Sequence, residues 1–450
     1  MSRRRDTMRL GAFLYPGGHH VAAWRHPSSQ ADAGIDPAHY RRLARVAEAA
    51  KFDLIFLADG VSIRGDDIDA LSRTAIRYVG QFEPLTLLSH LSAVTERIGL
   101  VATASTTYNE PFHVARKFAS LDHLSGGRAG WNLVTSADPR EAYNFSRHSH
   151  LAHANRYARA EEFVDVVAGL WDTFEDDAFV RDRGEGRFFD PAKLHVLGHE
   201  GEHFSVRGPL NVPRPPQGHP VVVQAGSSEA GKALAARTAE VVFTAQATLE
   251  DATAFYADVK GRLARHGREP DALKILPGAF PVVGRTMGEA EDKYGALQEL
   301  IHPVVGRSLL EQLAGLDLSG YPDDAPVPEA SGTEGGKSRQ DLLVTIARRE
   351  GLTIRDLYLR IAGARGHWTL IGTPARIADA LQERFEAYGA DGFNIMPPTL
   401  PGGLDDFATL VIPELQRRGL FRTQYEGTTL RENLGLARPR HRRHASARTP

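Results

Sequence analysis

Apolar runs of four to ten residues recur along the chain and alternate with longer stretches whose apolar residues repeat every three or four positions. The runs lie at 9–14, 53–58, 98–103, 131–134, 220–224, 240–244, 274–283 and 392–396. The amphipathic stretches that separate most of them lie at 37–50, 84–95, 112–123, 156–174, 229–238, 249–266, 287–301 and 374–388. Alternating strands and helices predict an α/β fold with a parallel sheet, and eight repeats predict that the sheet closes into a (β/α)8 TIM barrel.

Two connections are too long for ordinary barrel loops: 172–217 after the fourth strand and 306–367 after the seventh. The first is rich in Arg, Asp, Gly and Pro, and we expect it to pass over the barrel mouth. The second contains the turn-rich piece YPDDAPVPEASGTEGGKS and then a helical pattern, which suggests a lid. We expect one barrel domain over 1–437 and a basic, disordered tail over 438–450.

Composition excludes several classes of function. Lys and Arg total 54 against 56 for Asp and Glu, so no global charge directs the chain to nucleic acid or an anionic membrane, and we expect a small-molecule partner. The absence of cysteine excludes disulfides, thiolate metal sites and thiol catalysis. The N-terminal apolar run is too short for a signal peptide, and no stretch reaches the roughly 18 apolar residues of a membrane span. We therefore expect a cytoplasmic protein.

Polar residues collect where the predicted strands end. Asp59 follows the run LIFLA, Thr103 ends the next strand, and Asn132 and Thr135 belong to WNLVTS. The carboxyl ends of parallel barrel strands meet at one mouth, where barrel enzymes place their active sites. These residues are therefore candidates for a site, although Asp59 has an alternative role as a cap of the segment that follows.

Two features suit an anion such as a phosphate. In QAGSSEAG, Ser227 and Ser228 stand where a predicted helix begins and offers free backbone N–H groups. His153 and Tyr157 are four residues apart, so a helix presents both on one face. Taken alone, the serines are equally explained as helix caps, and the His and Tyr as an incidental surface pair.

Several sequence motifs match a known functional pattern but lack the local structure or the residues that the function needs. HEGEH at 199–203 matches the zinc pattern HExxH, but its glycine and the proline-rich sequel argue against the helix that zinc binding needs. GTEGGKS resembles a P-loop, yet Ser331 stands at the first glycine position. No GxGxxG is present, so the sequence does not support a dinucleotide site for NADH. The histidines at 148, 150 and 153 do not have the spacing of a dedicated ligand set, so we expect no metal site.

A long block, VATASTTYNEPFHVARKFASLDHLSGGRAGWNLVTS, resembles the nitrilotriacetate, dibenzothiophene sulfone and long-chain alkane monooxygenases, a flavin-dependent group of the bacterial luciferase-like superfamily. Further pieces similar to that family are GGHHVAAWRHP, DLIFLAD, EPLTLLSHLSAVTERIGL, NRYARAEEFVDVVAGLW, QAGSSEAG, DGFNIMPP and PELQRRGLFRTQYEGTTLRENLGL. The resemblance covers most of the chain, in one order.

The resemblance implies a reaction and a site. The family combines reduced FMN (FMNH2) with O2 to form a C4a-(hydro)peroxyflavin that hydroxylates or cleaves an organic substrate. It assigns Ser227, Ser228, His153 and Tyr157 to the flavin phosphate, and Asp59, Thr103, Asn132 and Thr135 to the rest of the flavin pocket. On the substrate side it implies His20, Phe56 and Phe243, together with Asn132, as candidate catalytic residues. The alternatives are core packing for the two phenylalanines and a solvated loop for His20.

The resemblance also implies partners. A separate NAD(P)H:FMN reductase would supply the reduced flavin, and we expect a homo-oligomer, either a dimer or a tetramer. Two other functions stay open: a deazaflavin-dependent oxidoreductase of the same fold, and a protein that binds FMN without turnover. The substrate cannot be read from the fold, because the residues of the pocket decide it.

Overall fold

The computed structural model describes residues 4, 6–328, 343 and 347–445. Its strands are β1 (Arg9–Phe13), β2 (Leu54–Leu57), β3 (Gly99–Ser105), β4 (Ala129–Val134), β5 (His199–Glu200), β6 (Ser205–Val206), β7 (Val221–Gln224), β8 (Val241–Thr244), β9 (Lys274–Val283), β10 (Trp368–Gly372) and β11 (Gly392–Ile395). Within the described residues, the eight predicted strands are all present.

Eight parallel strands close into a barrel, which confirms the predicted fold. They follow one another in the order β1, β2, β3, β4, β7, β8, β9 and β11, and β11 pairs with β1. The ten-residue β9 is long enough to pair with β8 through its first half and with β10 through its second. The sequence does not predict β10, because Trp368–Gly372 is a half-exposed strand without a continuous apolar run.

Helices follow most strands on the outside of the barrel, and each predicted helix is present. The α-helices are Pro37–Ala49, Ile68–Ser72, Pro84–Ser92, Pro111–Ser125, His153–Trp171, Glu229–Thr238, Leu249–Arg262, Met287–Glu299, Pro303–Ala314, Ile354–Ala362, Pro374–Glu386, Gly402–Asp406, Ile412–Arg417, Leu430–Leu434 and Arg442–Ala445. Proline at the first position and a capping carboxylate begin several of them: Asp36 accepts from the N–H of Ala38 at 2.7 Å. Across the described residues, no helix is both long and apolar enough to cross a membrane.

The strands are mainly apolar because both of their faces are covered. In β2, Leu54 and Phe56 point into the barrel, where they join the inner cluster with Phe13. Their neighbours Ile55 and Leu57 point outward and pack with the helices in the outer cluster. Alternation within one strand therefore builds two cores, and the inner one supports the barrel mouth.

The first insertion, 172–217, lies away from the barrel mouth. It starts where the helix His153–Trp171 ends, and such helices run back toward the amino ends of the strands. Arg214 closes the segment by pairing with Asp172 at 2.8 Å, and the ring of Phe204 packs against Phe163 on that helix. The expectation that this segment passes over the mouth is therefore wrong, since it covers the opposite end and the helix flank.

The second insertion, 306–367, lies at the carboxyl end of the barrel. Its helices Pro303–Ala314 and Ile354–Ala362 form a small core with Val21 and Ala22 from the loop after β1. Arg365 and His367, at the end of the insertion, reach the loop after β1 and the barrel interior. The segment lies beside the mouth, and its role as a lid stays a prediction. Residues 329–338 of its turn-rich piece fall outside the described residues.

The first residues of the predicted tail differ from the expectation of disorder. Arg438 pairs with Asp176 at 2.6 Å, and the buried His441 donates from Nε2 to the carbonyl of Asp172 at 2.8 Å. The tail is basic in composition, and its positively charged side chains lie against the acidic residues at the start of the first insertion. Residues 438–445 are therefore attached to the body, and 446–450 lie outside the described residues.

Candidate active site

A cavity of about 370 Å³ opens at the carboxyl ends of β2, β3, β4 and β7. Four residues that the sequence predicts for a flavin pocket line it: Asp59, Thr103, Thr135 and Tyr157. The barrel topology brings them together from four separate parts of the chain, as the positions at strand ends predict.

Thr103 gives the cavity a polar floor, and the buried Asn132 lies directly behind it. Asn132 Nδ2 donates to Thr103 Oγ1 at 2.7 Å, and that hydroxyl donates to the carbonyl of Leu57 at 2.8 Å. Asn132 Oδ1 is buried without a hydrogen-bond partner, as is Oε1 of the cavity-lining Gln224. A buried oxygen without a partner is expected to accept a hydrogen bond, and that of Gln224 belongs to a residue that lines the cavity.

A second polar group lies at the β7 side, and we call Tyr157, Ser228 and Gly226 the β7 corner. The hydroxyls of Tyr157 and Ser228 are 3.4 Å apart, and the ring of His153 lies 4.8 Å from that of Tyr157. Ser228 caps the helix Glu229–Thr238 by accepting from the N–H of Gly231 at 3.1 Å. Ser227 is exposed beside it. The two anion-binding features of the sequence therefore meet at one point.

Gly226 of the β7 corner and the neighbouring Gly231 leave room for a ligand. A Cβ at Gly226 would lie 3.2 Å from the Cα of Gly231 and 3.7 Å from the hydroxyl of Tyr157. Without that atom, the start of the helix exposes its first N–H groups to the corner, where the helix dipole favours an anion. A phosphate fits this arrangement.

Asp59 lies at the end of β2 in a setting that disfavours its charge. Burial raises its pKa from the ordinary 3.8 to about 7, and the nearby Glu83 and Glu141 act in the same direction. The folded chain therefore holds a proton on this carboxyl between about pH 4 and pH 7 that the unfolded chain has released.

Replacing Asp59 with asparagine is expected to stabilise the flavin-free protein increasingly as pH rises. Because the folded state binds more protons in the window from about pH 4 to 7, wild-type stability falls with rising pH through it. Asparagine does not titrate, so the difference in Tm between D59N and wild type should grow between pH 5 and pH 8. Thermal unfolding at several pH values measures this, and a pH-independent difference would contradict it.

An aromatic cluster fills the barrel interior below the mouth. The rings of Phe56 and Phe243 lie 5.5 Å apart, and both contact Phe13. Phe56 is buried in the inner core, whereas the half-buried Phe243 stacks on His367 at 5.0 Å. Phe243 thus borders the mouth, and Phe56 packs as core beneath it.

The two histidines after β1 point to different places. His20, the sequence-based candidate, is fully buried, accepts from the N–H of Ala22 through Nδ1, and donates through Nε2 to Gln298 at 3.1 Å. Burial lowers its pKa to about 4, so it is neutral. The structure therefore directs His20 away from the aromatic cluster, and its neighbour His19 takes that place, 4.4 Å from the ring of Phe13.

His19 is held in one neutral form. Its Nε2 donates to the carbonyl of Phe13 at 2.9 Å, while its Nδ1 accepts from Arg365 at 2.8 Å. Burial and the charge of Arg365 lower its pKa well below the ordinary value. Because both ring nitrogens are engaged, His19 acts as a positioning residue for Arg365.

Sequence reasoning missed four residues around the mouth: Arg64, Tyr78, Glu141 and Arg365. Three lie in irregular connections and Glu141 lies in the short 3-10 helix Pro139–Phe145, so no periodic pattern marks them. Tyr78 and Arg365 have φ of 58° and 50°, and Ser136, which lines the cavity, has 56°. Non-glycine residues in this left-handed region are uncommon and cluster at functional sites, and this is a backbone signal that the sequence does not carry.

The family model for luciferase-like monooxygenases matches residues 18–392 of the chain. This range contains the cavity-forming ends of β2, β3, β4 and β7. The chain belongs to the luciferase-like monooxygenases.

Relatives of this luciferase-like monooxygenase match along nearly its whole length. N-acetyl-S-(2-succino)cysteine monooxygenase of Bacillus subtilis (strain 168) is 53% identical over 445 residues, 98% of this chain and 99% of that protein. Nitrilotriacetate monooxygenase component A of Aminobacter aminovorans is 52% identical over 441 residues, 96% of this chain and 97% of that protein. A crystal structure of riboflavin lyase with modified FMN and riboflavin has a TM-score of 0.84 at 34% identity and covers 96% of both chains. The chain is thus an enzyme, a monooxygenase.

Two loops of this monooxygenase are joined across the rim of the cavity. Arg140, in the loop after β4, pairs with Asp66 in the loop after β2 at 2.6 Å. Asn144 Nδ2 donates to the carbonyl of Val61 at 2.8 Å, and Asp138 holds Arg140 from its own loop at 2.9 Å. These bonds hold together the two loops that carry Arg64 and Glu141.

The HEGEH segment of the enzyme forms a strand pair and not a helix. His199 and Glu200 make up β5, which pairs antiparallel with β6. Nε2 of His199 donates to Glu162 at 2.8 Å, so the histidine is engaged by a carboxylate of the neighbouring helix. The local geometry agrees with the sequence-based argument against a zinc helix, and the absence of bound metal stays a prediction.

Proposed function

We propose that this chain is the oxygenase of a two-component enzyme that uses FMNH2 and O2 to hydroxylate or cleave a small organic substrate. The observation that carries the proposal is one cavity lined by Tyr157 and Gly226 of the β7 corner and by Thr103, whose hydroxyl accepts from Asn132. An anion-binding corner and a polar floor for the ring are the two parts that FMN needs. The riboflavin lyase relative, whose structure contains modified FMN, supports the choice of flavin.

The residues of the chain divide the binding of FMN between them. Tyr157, Ser228 and the helix N-terminus would hold the phosphate, with His153 as a second donor beside Tyr157. Thr103 and Thr135 would bond the ribityl chain, and Asn132 would bond the polar edge of the ring. The unpartnered oxygens of Asn132 and Gln224 then gain the donors that they lack.

Bound reduced flavin supplies the electrons that activate O2, and the chain supplies orientation and a dry site. The ring cluster of Phe13, Phe56 and Phe243 limits water below the flavin position. Phe243 and His367 stack at the mouth, where a substrate would meet the reactive face of the flavin. By excluding water, these side chains would keep reduced oxygen from being released as hydrogen peroxide before it reacts with the substrate.

A separate reductase is part of the proposal, and the sequence contains no dinucleotide fingerprint by which this chain would bind NADH itself. The relative from Aminobacter aminovorans is named as component A, which fits an oxygenase that works with another component. The names of the two relatives describe nitrilotriacetate and N-acetyl-S-(2-succino)cysteine, compounds with several carboxylates, and both serve here as test substrates. The homo-oligomer and the cytoplasmic location stay predictions from the sequence.

The test is a reconstitution with purified components. With NADH, FMN and a flavin reductase, we expect the enzyme to consume O2 and modify a substrate, measured by an oxygen electrode and mass spectrometry. The enzyme alone should oxidise NADH no faster than the free flavin does. Rapid NADH oxidation without reductase would contradict the two-component proposal and indicate a self-sufficient flavoenzyme.

The same assay separates the two alternatives that the sequence leaves open. A deazaflavin-dependent oxidoreductase would transfer hydride without O2 and would not respond to FMN. A protein that only binds FMN would release all the reduced oxygen as peroxide and leave every substrate unchanged.

A further inference from the structure

We propose that Arg64 and the hydroxyl of Tyr78 bind a carboxylate of the substrate, so that the substrates of this enzyme are carboxylic acids. The inference rests on the proposed function, because it takes the cavity at the strand ends as the place where flavin and substrate meet. It assigns the loop after β2 to the substrate and leaves the β7 corner to the flavin.

Arg64 is a cation with no hydrogen-bonded anion among the described residues, although the charges of Glu141 and Asp138 attract it. It lines the cavity, and its guanidinium carbon lies 4.6 Å from the centroid of the Tyr78 ring. Its Nε is buried without a hydrogen-bond partner, and its side chain forms no ion pair within the described part of the chain. A guanidinium carries five donors, and leaving the buried Nε–H unmatched costs free energy. This unpartnered fork has the geometry that binds a carboxylate through two parallel hydrogen bonds.

The hydroxyl of Tyr78 adds a neutral donor next to that fork. Tyr15 donates to the Tyr78 hydroxyl at 3.3 Å, so the hydrogen of Tyr78 itself is free to point elsewhere. Burial raises the pKa of Tyr78 well above its ordinary value and keeps the phenol protonated. Behind the pair, the guanidinium of Arg365 lies 5.1 Å from the ring of Tyr15 and adds positive charge.

The acids that share the cavity do not cancel this charge fully. Asp59, Glu83 and Glu141 face the same space as Arg64, and the charges of Glu141 and Asp138 attract its guanidinium. Burial raises the pKa of Asp59 to about 7, so this carboxyl carries only part of its negative charge at neutral pH, and burial also raises the pKa of Glu141. The attraction acts through space without a hydrogen bond, so the donors of Arg64 stay available to a ligand.

The position of Arg64 in the barrel separates it from the β7 corner. Arg64 follows β2, whereas Tyr157 and Ser228 lie beside β7, and β3 and β4 stand between those strands. The phosphate already has a helix N-terminus and two hydroxyls on its side. An anion bound at Arg64 would therefore be distinct from the flavin phosphate, and it would lie on the β2 side of the cavity.

Calorimetric titration in the presence of saturating FMN tests the proposal. The probes are succinate, nitrilotriacetate and N-acetyl-S-(2-succino)cysteine, each compared with its full methyl ester. Wild type should bind at least one acid and not its ester. Arg64→Gln should weaken that binding by about tenfold or more, and Arg64→Lys should fall between, because lysine keeps the charge without the fork. The matched control is Arg73→Gln, an exposed arginine of the same loop paired with Asp69.

Three outcomes would overturn the proposal: acids and esters bind alike or not at all, R64Q binds the acid as tightly as wild type, or R64Q loses FMN while keeping the acid. A fluorescence titration with FMN accompanies each variant. Failure of wild type to bind FMN would contradict the proposed function, whereas normal FMN binding without carboxylate selectivity would contradict this inference alone.

Discussion

Replacing Arg128 with methionine is expected to lower the free energy of unfolding by about 3–5 kcal/mol. Arg128 is among the largest fully buried side chains, and it lies at the turn that leads into β4. Its guanidinium donates to the carbonyls of Ser125 (2.7 Å), Ile98 (2.8 Å), Thr95 (2.9 Å) and Ser92 (3.1 Å). Ser92 ends the helix Pro84–Ser92, so one side chain satisfies carbonyls that the end of a helix leaves unpaired.

Methionine keeps the volume of the arginine stem and leaves these buried carbonyls without donors. An unsatisfied buried acceptor costs about 1–3 kcal/mol, and partial hydration of the gap limits the total. The measurement is the midpoint of unfolding in urea or heat. Arg116→Met, an exposed arginine on the adjacent helix, is the matched control and should change stability by about 0.5 kcal/mol or less. Equal midpoints for R128M and R116M would contradict the prediction.

The double variant Tyr157→Phe and Ser228→Gly is expected to weaken FMN binding by about 100-fold or more. Each hydroxyl that bonds a phosphate contributes about 1.5–3 kcal/mol, and the two hydroxyls stand 3.4 Å apart at the same corner. Glycine retains most of the capping preference of Ser228, so the helix Glu229–Thr238 should remain. Fluorescence titration of FMN measures the dissociation constant.

Tyr143→Phe serves as the control, because Tyr143 is 64% exposed and does not line the cavity. The single variants should each lose about tenfold or more in affinity, and unchanged circular dichroism should accompany the loss. If the double variant binds FMN as tightly as wild type, the phosphate lies elsewhere and the assignment of the β7 corner is wrong.

The barrel could be predicted because each strand is marked by the residues of its own short segment. A strand covered on both faces reads as a continuous apolar run, so the sequence marks all eight strands of the closed barrel. The topology of the barrel also predicts at which end of the barrel the first insertion begins. A segment that follows a barrel helix must start at the amino ends of the strands, and Asp172 directly follows such a helix.

The missed parts of the mouth depend on irregular backbone. His19 and His20 are neighbours, and only the path of the loop after β1 decides which of them faces Phe13 and which faces Gln298. Arg64 and Arg365 come from connections far apart in sequence and meet the pair of Tyr15 and Tyr78 only in the folded chain. Neither the spacing of residues nor the secondary-structure propensity within either connection predicts that these side chains lie together.

The two ends of the cavity are built from separate parts of the chain. The loop between β2 and β3 supplies Arg64 and the neighbouring Tyr78, whereas the segment from β7 into the next helix supplies Gly226 and the neighbouring Ser228. Single substitutions at Arg64 or Tyr78 can therefore change one end without altering the residues of the other. Exchange of the whole loop is different, because its Asp66 and Val61 are bonded to Arg140 and Asn144 of the loop after β4. Grafting of specificity between members of the family would therefore need both loops to be transferred together.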